Sequence, residues 1–467
     1  MAARRRSESD LPHAPLELLH PVMLPGAEIP GAEILGEIGG SEAATLLGLL
    51  RAVLAWSANP GHVAALDRDT LERTEYTLLS RGPDGFASPA GLLAGYMARP
   101  KTASERDVAW VCICISDWAA ERGARATAIQ FAMAAAFAWP RHPRYAWIVA
   151  RMLIESGRRT EAEAWLRRSW RVAVWTDDWE AQGRSINALG MLHYERGTLR
   201  RAERLYRRAI TVAKRHVLPE IEAIGQHNLF VVKAEQGDRI AAETAAASAF
   251  ALYGYRHPKL LELVADVAFF WNRVGLHARA LRILYPLLQC FNDPDARLRL
   301  LAGVIRAAGI DGCPGLVEQY WPELWFLSTS LPAAEVKGSA LYEAGIGARA
   351  LGDNTKAELA FKSAVDIANR CGANQLLIQA EQAFSATTEA TGGASYARRQ
   401  EAASDPGEQL AEEFLKTLRR VNGEETGVSS PSDPSIPAAE EDSPSLFADL
   451  HAVARRSGAG CRGAART

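Results

Sequence analysis

Apolar residues recur at helical spacing through the middle of the chain, in segments that each end at a glycine. Six glycines mark these ends: Gly123, Gly157, Gly197, Gly237, Gly275 and Gly352. An alanine follows each glycine after five residues: Ala128, Ala162, Ala202, Ala242, Ala280 and Ala357. The spacing is nearly constant except for a last gap of about twice the length, which fits a degenerate unit around 305–325. The pattern predicts roughly seven helix hairpins.

Each half of this glycine–alanine pattern has a physical reason. Glycine ends the first helix of a hairpin because it adopts the left-handed conformation at little cost. The alanine marks the point where the second helix crosses the first, since a larger side chain would hold the two apart. Apolar residues such as Phe361 and Ala364 continue the buried stripe. An Ala-rich bundle with accidental glycines is the alternative, and six matches at a near-constant period disfavour it.

One segment carries enough of this pattern to resemble a known family. Between 187 and 209 stand Asn187, Leu189-Gly190, Tyr194, Gly197, Ala202, Tyr206 and Ala209. This segment resembles a tetratricopeptide repeat, and weaker likeness extends over about 108–391. The long periods are similar to those of long-helix variants in bacterial regulators. The resemblance implies an all-α, right-handed α-solenoid in which the first helices line a concave surface that holds a protein or peptide.

The flanking regions differ from the repeats in composition. Four divisions are predicted: a disordered segment 1–40, a helical N-terminal cap 41–104, the solenoid 105–391 and a mostly disordered tail 392–467. Within the tail, 407–420 could form a transient helix. A small DNA-binding module is the alternative for the cap, in a signal-responsive transcriptional regulator whose repeats form the sensor or dimerisation region. The scarcity of lysine there weighs against it.

Composition and motifs exclude several functional classes. A net charge of −2 argues against broad attraction to nucleic acid or an anionic membrane, and the longest apolar run, 131–139, is too short to span a bilayer. Neither a phosphate-binding glycine loop nor a hydrolase or zinc-protease motif is present. His193 fits a packed side chain, and the six cysteines fit free thiols because they form no CxxC pair. We therefore expect a cytoplasmic, non-catalytic protein with no metal and no cofactor.

The resemblance also predicts a binding groove on the first helices of the hairpins. Its predicted residues are Arg144, Trp147, Arg151, Arg184, Asn187, Met191 and His227. The expected partner is a protein or peptide, and an acidic segment with an apolar anchor would suit the arginines and tryptophan. One such segment, 440–449, lies in the chain's own tail. The carboxylate clamp of chaperone-binding members is not carried over, because Asn187 alone does not make it. A homodimer is compatible with the sequence.

Overall fold

The computed structural model describes residues 31–58, 68–81, 85–332, 334–389 and 405–422. Over these ranges the chain forms 20 α-helices and no strand. None of the described helices is both long enough and apolar enough to cross a membrane. The predicted all-α repeat fold is confirmed.

The chain divides into two compact units, residues 1–221 and 222–467, and the boundary falls near the start of α11. The helices of the first unit are α1 (Ala32–Glu37), α2 (Gly40–Ala58), α3 (Arg68–Leu79), α4 (Ala87–Ala98), α5 (Glu105–Glu121), α6 (Arg125–Ala138), α7 (Pro143–Glu155), α8 (Arg159–Thr176), α9 (Trp179–Glu195) and α10 (Leu199–His216). From α5 onward they form consecutive hairpins, each first helix packing against the second helix that follows it.

The second unit continues the same series of hairpins. Its helices are α11 (Pro219–Glu235), α12 (Arg239–Tyr253), α13 (Leu260–Arg273), α14 (His277–Leu287), α15 (Pro294–Ile310), α16 (Pro314–Ser330), α17 (Glu335–Ala350), α18 (Asn354–Cys371), α19 (Asn374–Glu389) and α20 (Pro406–Val421). From α5 to α18 the described chain therefore contains seven hairpins, as predicted.

The glycines between paired helices have the conformation that the pattern requires. All six predicted turn glycines have positive φ, from 71° at Gly197 to 87° at Gly275. The degenerate unit is the hairpin α15–α16, whose turn glycine is Gly312 with φ 78°. Val317 stands five residues after it, where the other hairpins have alanine, and is buried. This substitution hid the repeat from the glycine–alanine pattern.

Small residues let the two helices of a hairpin approach closely. All six predicted crossing alanines are 0% exposed. On the facing helix, a Cβ added to Gly190 would lie 2.5 Å from the ring of Tyr206. The hairpin α17–α18 repeats this arrangement, with 2.6 Å between a Cβ on Gly345 and the Phe361 ring. These glycine–aromatic pairs set the distance between helices in two of the seven hairpins.

The N-terminal helices begin earlier than the sequence predicted. Helix α1 lies inside the segment that we expected to be disordered, and it packs against α2 and α6. The Glu37 carboxylate accepts hydrogen bonds from the backbone N–H groups of Ala126 at 2.9 Å and Thr127 at 2.7 Å. Because Ala124, the N-cap residue of α6, has no capping side chain, Glu37 takes over that role. The predicted disorder of 1–30 lies outside the described residues.

The C-terminal region also departs from the prediction. The segment predicted as a transient helix is α20, which packs against the second helices α12 and α14. The reason is a strongly amphipathic pattern whose apolar residues Leu410, Phe414 and Leu418 are all buried. The predicted disorder of 423–467, and the tail segment 440–449, lie outside the described residues.

Candidate functional site

The predicted groove is closed along helix α9. Every residue from Ser185 to His193 is buried, so α9 presents no free face there. Asn187 is 1% exposed and donates a hydrogen bond to the carbonyl of Ile221 at 3.4 Å, and Met191 is 2% exposed. We therefore correct the prediction for Asn187 and Met191, which form part of the packing between helices rather than a binding surface. Side-chain spacing alone did not reveal how closely α9 is surrounded.

Two of the predicted arginines are paired with acids of the same face. Arg184 donates to Glu180 at 2.8 Å and lies 3.5 Å from Glu220. Arg151 lies 3.7 Å from Glu155. These pairs neutralise much of the positive charge that was expected to attract an acidic ligand, so the predicted basic groove is weaker than the sequence suggested.

The remaining predicted residues are separated between the two units. Arg144 is exposed and Trp147 half-buried on α7 of the first unit. His227 belongs to α11 in the second unit, where its Nε2 lies 3.2 Å from Asp266 and its Nδ1 lies 3.4 Å from the Tyr253 hydroxyl. His227 is thus held in a local polar cluster of the second unit.

A different surface of the first unit has the features of a binding site, and the sequence analysis missed it. It is formed by Arg106, Trp110 and Cys114 on α5 and by Tyr145, Ile148 and Met152 on α7, and we call it the α5–α7 face. Each set follows helical i, i+3 or i+4 spacing and so shares one side of its helix. The two helices meet where the Ser116 hydroxyl lies 3.8 Å from the Met152 sulfur.

Trp110 is the most prominent residue of the α5–α7 face. Its side chain is 58% exposed, whereas Tyr145 and Ile148 are half-buried. Burial raises the pKa of Tyr145, and the positive charges of Arg144 and Arg106 oppose that rise. Arg106 lies one turn before Trp110 on the same side of α5. The signal in the sequence was a tryptophan outside the buried stripe of its helix.

Three aromatic rings extend this surface toward the turn between α6 and α7. The ring centroids of Trp139 and His142 are 4.5 Å apart, and those of His142 and Tyr145 are 5.2 Å apart. Burial lowers the pKa of His142, and the negative charge of Asp178 offsets part of this shift. The lowered pKa favours the neutral imidazole ring. The surface is therefore largely uncharged and aromatic, with arginine at its edge.

Two buried polar side chains of the first unit, His193 and Glu163, have structural partners. His193 is 5% exposed, with its Nδ1 3.2 Å from the Thr198 hydroxyl, and burial lowers its pKa. Desolvation acts to raise the pKa of Glu163, but hydrogen bonding to Arg196 and nearby charges lower it overall. These contacts hold the second helix α8 against the next hairpin. They explain His193 as a packed side chain, as its position in the sequence predicted.

The described thiols show no activating environment. Five cysteines lie in the described ranges, and all are free. Burial raises the pKa of Cys112, and it also raises the pKa of Cys114 and Cys290. A raised pKa disfavours the thiolate, which is the nucleophilic form. These three side chains therefore remain thiols, and Cys290 donates a hydrogen bond to the Asn422 side chain at 3.2 Å.

Comparison with known proteins agrees with this geometry. The family model for the tetratricopeptide repeat matches residues 183–220, which cover most of α9 and all of α10. This segment is a tetratricopeptide repeat. The match covers the segment whose glycine–aromatic pair, Gly190 and Tyr206, was described above. No curated protein matched the chain.

Two solved structures were found with low similarity. The apo form of RapI shares 10% identity, with 72% of this chain and 89% of that chain covered and a TM-score of 0.47. A circular tandem repeat protein with a novel repeat topology shares 15% identity, with 82% and 84% covered and a TM-score of 0.15. At these scores the likeness does not define a shared fold.

Proposed function

We propose that this tetratricopeptide-repeat chain is a non-catalytic scaffold that binds a protein or peptide through the first helices of its hairpins. Repeats of this kind expose long helical faces and carry binding rather than chemistry. The buried His193 is hydrogen-bonded within the fold, and burial raises the pKa of Cys112 and of Cys114, which disfavours their thiolates. A cytoplasmic location remains part of this proposal.

The exposure of Trp110 beside half-buried apolar side chains is the observation that supports the proposal. An indole ring that is 58% exposed in an isolated chain provides a large contact area with little conformational entropy to lose. Tryptophan residues of this kind are enriched among the side chains that dominate binding energy. The ligand best suited to this surface presents an apolar anchor to Trp110 and Ile148.

The charges around the α5–α7 face refine the nature of that ligand. Arg106 and Arg144 are both exposed at its edge, and guanidinium groups bind carboxylates with two parallel hydrogen bonds. Asp117 lies farther along α5 and is exposed, which makes the opposite end acidic. We propose a peptide segment whose apolar anchor is preceded or followed by an acidic residue.

The test compares two exposed aromatic residues in the intact chain. Trp110→Ala should weaken binding of a peptide selected from a displayed library by at least about tenfold, since hot-spot truncations cost about 2 kcal/mol or more. Phe326→Ala is the matched control, because Phe326 is 66% exposed but lies on the second helix α16. Equal affinities for Trp110→Ala and the unchanged chain would contradict the proposal.

The alternative function, a regulator whose N-terminal helices bind DNA, gains no support from two arginines of that region. Arg68 lies 2.8 Å from Glu72, and Arg99 lies 2.6 Å from Glu75. Arginines neutralised within the fold contribute little to phosphate binding. Whether the chain forms a homodimer does not enter the proposal.

A further inference from the structure

Helix α20 is separated in sequence from the repeats but lies on them. It begins after the N-cap Asp405, whose side chain accepts a hydrogen bond from the Gly407 backbone N–H at 3.2 Å. Its apolar side packs across α12 and α14, the second helices of two neighbouring hairpins. We call the surface beneath it the α12–α14 slot, formed by Arg239, Glu243, Phe250, Trp271, Arg279 and Arg282.

The centre of the slot is ionic. Arg279 is 0% exposed and lies 3.1 Å from Asp405, 3.2 Å from Glu408 and 3.6 Å from Glu243. Desolvation raises the pKa of Glu243, and the hydrogen bond from the Trp271 indole at 2.9 Å acts in the opposite direction. Two of the three carboxylates around Arg279 therefore come from α20 and its cap.

Two further arginines bind the acidic start of α20. Arg239 donates to Asp405 at 2.7 Å, and Arg282 pairs with both Glu408 and Glu412. Desolvation acts to raise the pKa of Asp405, but hydrogen bonds from Arg239, the Gly407 backbone and Arg279 lower it overall. The slot thus presents three arginines to three acids within the first two turns of one helix.

The rest of the contact is apolar and closely fitted. Phe414 is 0% exposed, with its ring 4.9 Å from that of Phe250 and 6.0 Å from that of Trp271. At Gly407 an added Cβ would lie 2.3 Å from the Arg279 guanidinium and 2.5 Å from Glu243. The slot therefore selects glycine at the second position after the cap and an aromatic ring two turns farther on.

An ionic centre of this kind gives specificity more than stability. Burying charged groups requires desolvation that their mutual attraction only partly offsets, and apolar replacements often stabilise a fold better. The four fully buried apolar side chains of α20 must also offset the ordering of its 16 residues. Such a contact recognises a particular helix selectively and holds it by a modest margin.

We propose that the α12–α14 slot is a binding site for an amphipathic helix of a partner protein, and that α20 occupies it as an intramolecular competitor. The partner helix carries Asp at its N-cap, Gly two residues after the cap and Glu three residues after it. Its apolar side carries Leu, Phe and Leu at the positions of Leu410, Phe414 and Leu418. A tethered competitor sets the affinity a partner must exceed, because its effective concentration is high. This site is on different helices from the α5–α7 face, so the two proposals stand independently.

The experiment uses the full chain and a fluorescent peptide of residues 404–422, with binding followed by anisotropy. Phe414→Ala in the protein weakens the tethered helix, and the peptide should then bind at least about tenfold more tightly than to the unchanged chain. Lys416→Ala is the matched control, since Lys416 is 55% exposed and pairs only with its neighbour Glu413. That variant should bind the peptide as the unchanged chain does.

Two further measurements test the contribution of the ion pairs and of the Phe414 ring to peptide binding. Arg282→Ala in the Phe414→Ala chain should lower the affinity for the peptide by about tenfold. It should also reduce the dependence of that affinity on salt concentration. A peptide with Phe414→Ala should not bind. Failure of the peptide to bind the Phe414→Ala chain, with its helical content unchanged, would overturn the proposal. A stable dimer formed by exchange of α20 between copies would also overturn it, in favour of self-association.

Discussion

The close approach of α9 and α10 makes Gly190 the most informative single position in the repeats. In Gly190→Ala the new methyl carbon would lie 2.5 Å from Cε1 and 2.8 Å from Cδ1 of Tyr206. Tyr206 is 2% exposed, so its ring has no open space to move into. The overpacking should cost about 1–3 kcal/mol. Alanine recovers about 1 kcal/mol through its higher helix propensity, which leaves a net destabilisation of roughly 0–2 kcal/mol.

The same substitution should change sign once the ring is removed. Tyr206→Ala by itself should cost about 3–5 kcal/mol, as large aromatic truncations do. In that background the added methyl group meets no ring, and Gly190→Ala should stabilise the protein by about 1 kcal/mol. The coupling between the two positions is then about 1–3 kcal/mol, the overpacking cost itself.

The assay is urea unfolding followed by the helical circular dichroism signal, with all four chains of the cycle measured together. Gly36→Ala is the control for helix propensity, because an added Cβ there meets nothing within 4 Å. If Gly190→Ala stabilised the chain that retains Tyr206, Gly190 would not lie against the Tyr206 ring. The close packing of α9 on α10 and the register of this repeat would then both be refuted.

Two other predictions concern strain and acidity. Val217 caps the C-terminus of α10 in the left-handed conformation, with φ 56° and ψ 55°, and is 83% exposed. Because β-branched residues are strained in this conformation, Val217→Asn should stabilise the chain by about 1 kcal/mol in thermal unfolding. An unchanged or lower stability of the variant would contradict this prediction. Burial lowers the pKa of His193 and His277 below the ordinary value of 6.5, so the unfolded chain binds more protons and stability should be lost as the pH falls below about 6.5. The urea midpoint should therefore decrease between about pH 7.5 and pH 5.5, and His193→Gln together with His277→Gln should reduce that decrease; a decrease of the same size in the double variant would exclude these two residues as its source.

The repeat architecture could be predicted because its determinants are local. A glycine at a turn and an alanine at a crossing each act within one hairpin, so their spacing revealed six of the seven units. Gly312 escaped notice because Val317 replaced the alanine, although the turn itself is preserved. The helical character of 41–104 could be predicted for the same reason, because its apolar periodicity is visible in the sequence, whereas α1 was missed.

The binding surface was less predictable because it depends on what lies beside each helix. The spacing of Asn187 and Met191 placed them correctly on one side of α9, but only the packing shows that this side is covered. Trp110 lies outside the buried stripe of α5, and the sequence does not show that no neighbouring helix covers it. The docking of α20 depends on Arg279, which is 0% exposed. The sequence of α14 does not indicate that this arginine is buried.

The hydrogen bonds of Glu37 limit how far the protein can be truncated from its N-terminus. Helix α6 is buried along almost its whole length and contacts α1, α2, α5 and α7. A fragment that begins at the first repeat, near Glu105, would lose both the carboxylate that caps α6 and the helix α2 that covers it. Apolar surface on α6 would then adhere to unrelated proteins, and a search for partners with that fragment would return false candidates. A bait for such a search should therefore retain the chain from residue 31 onward.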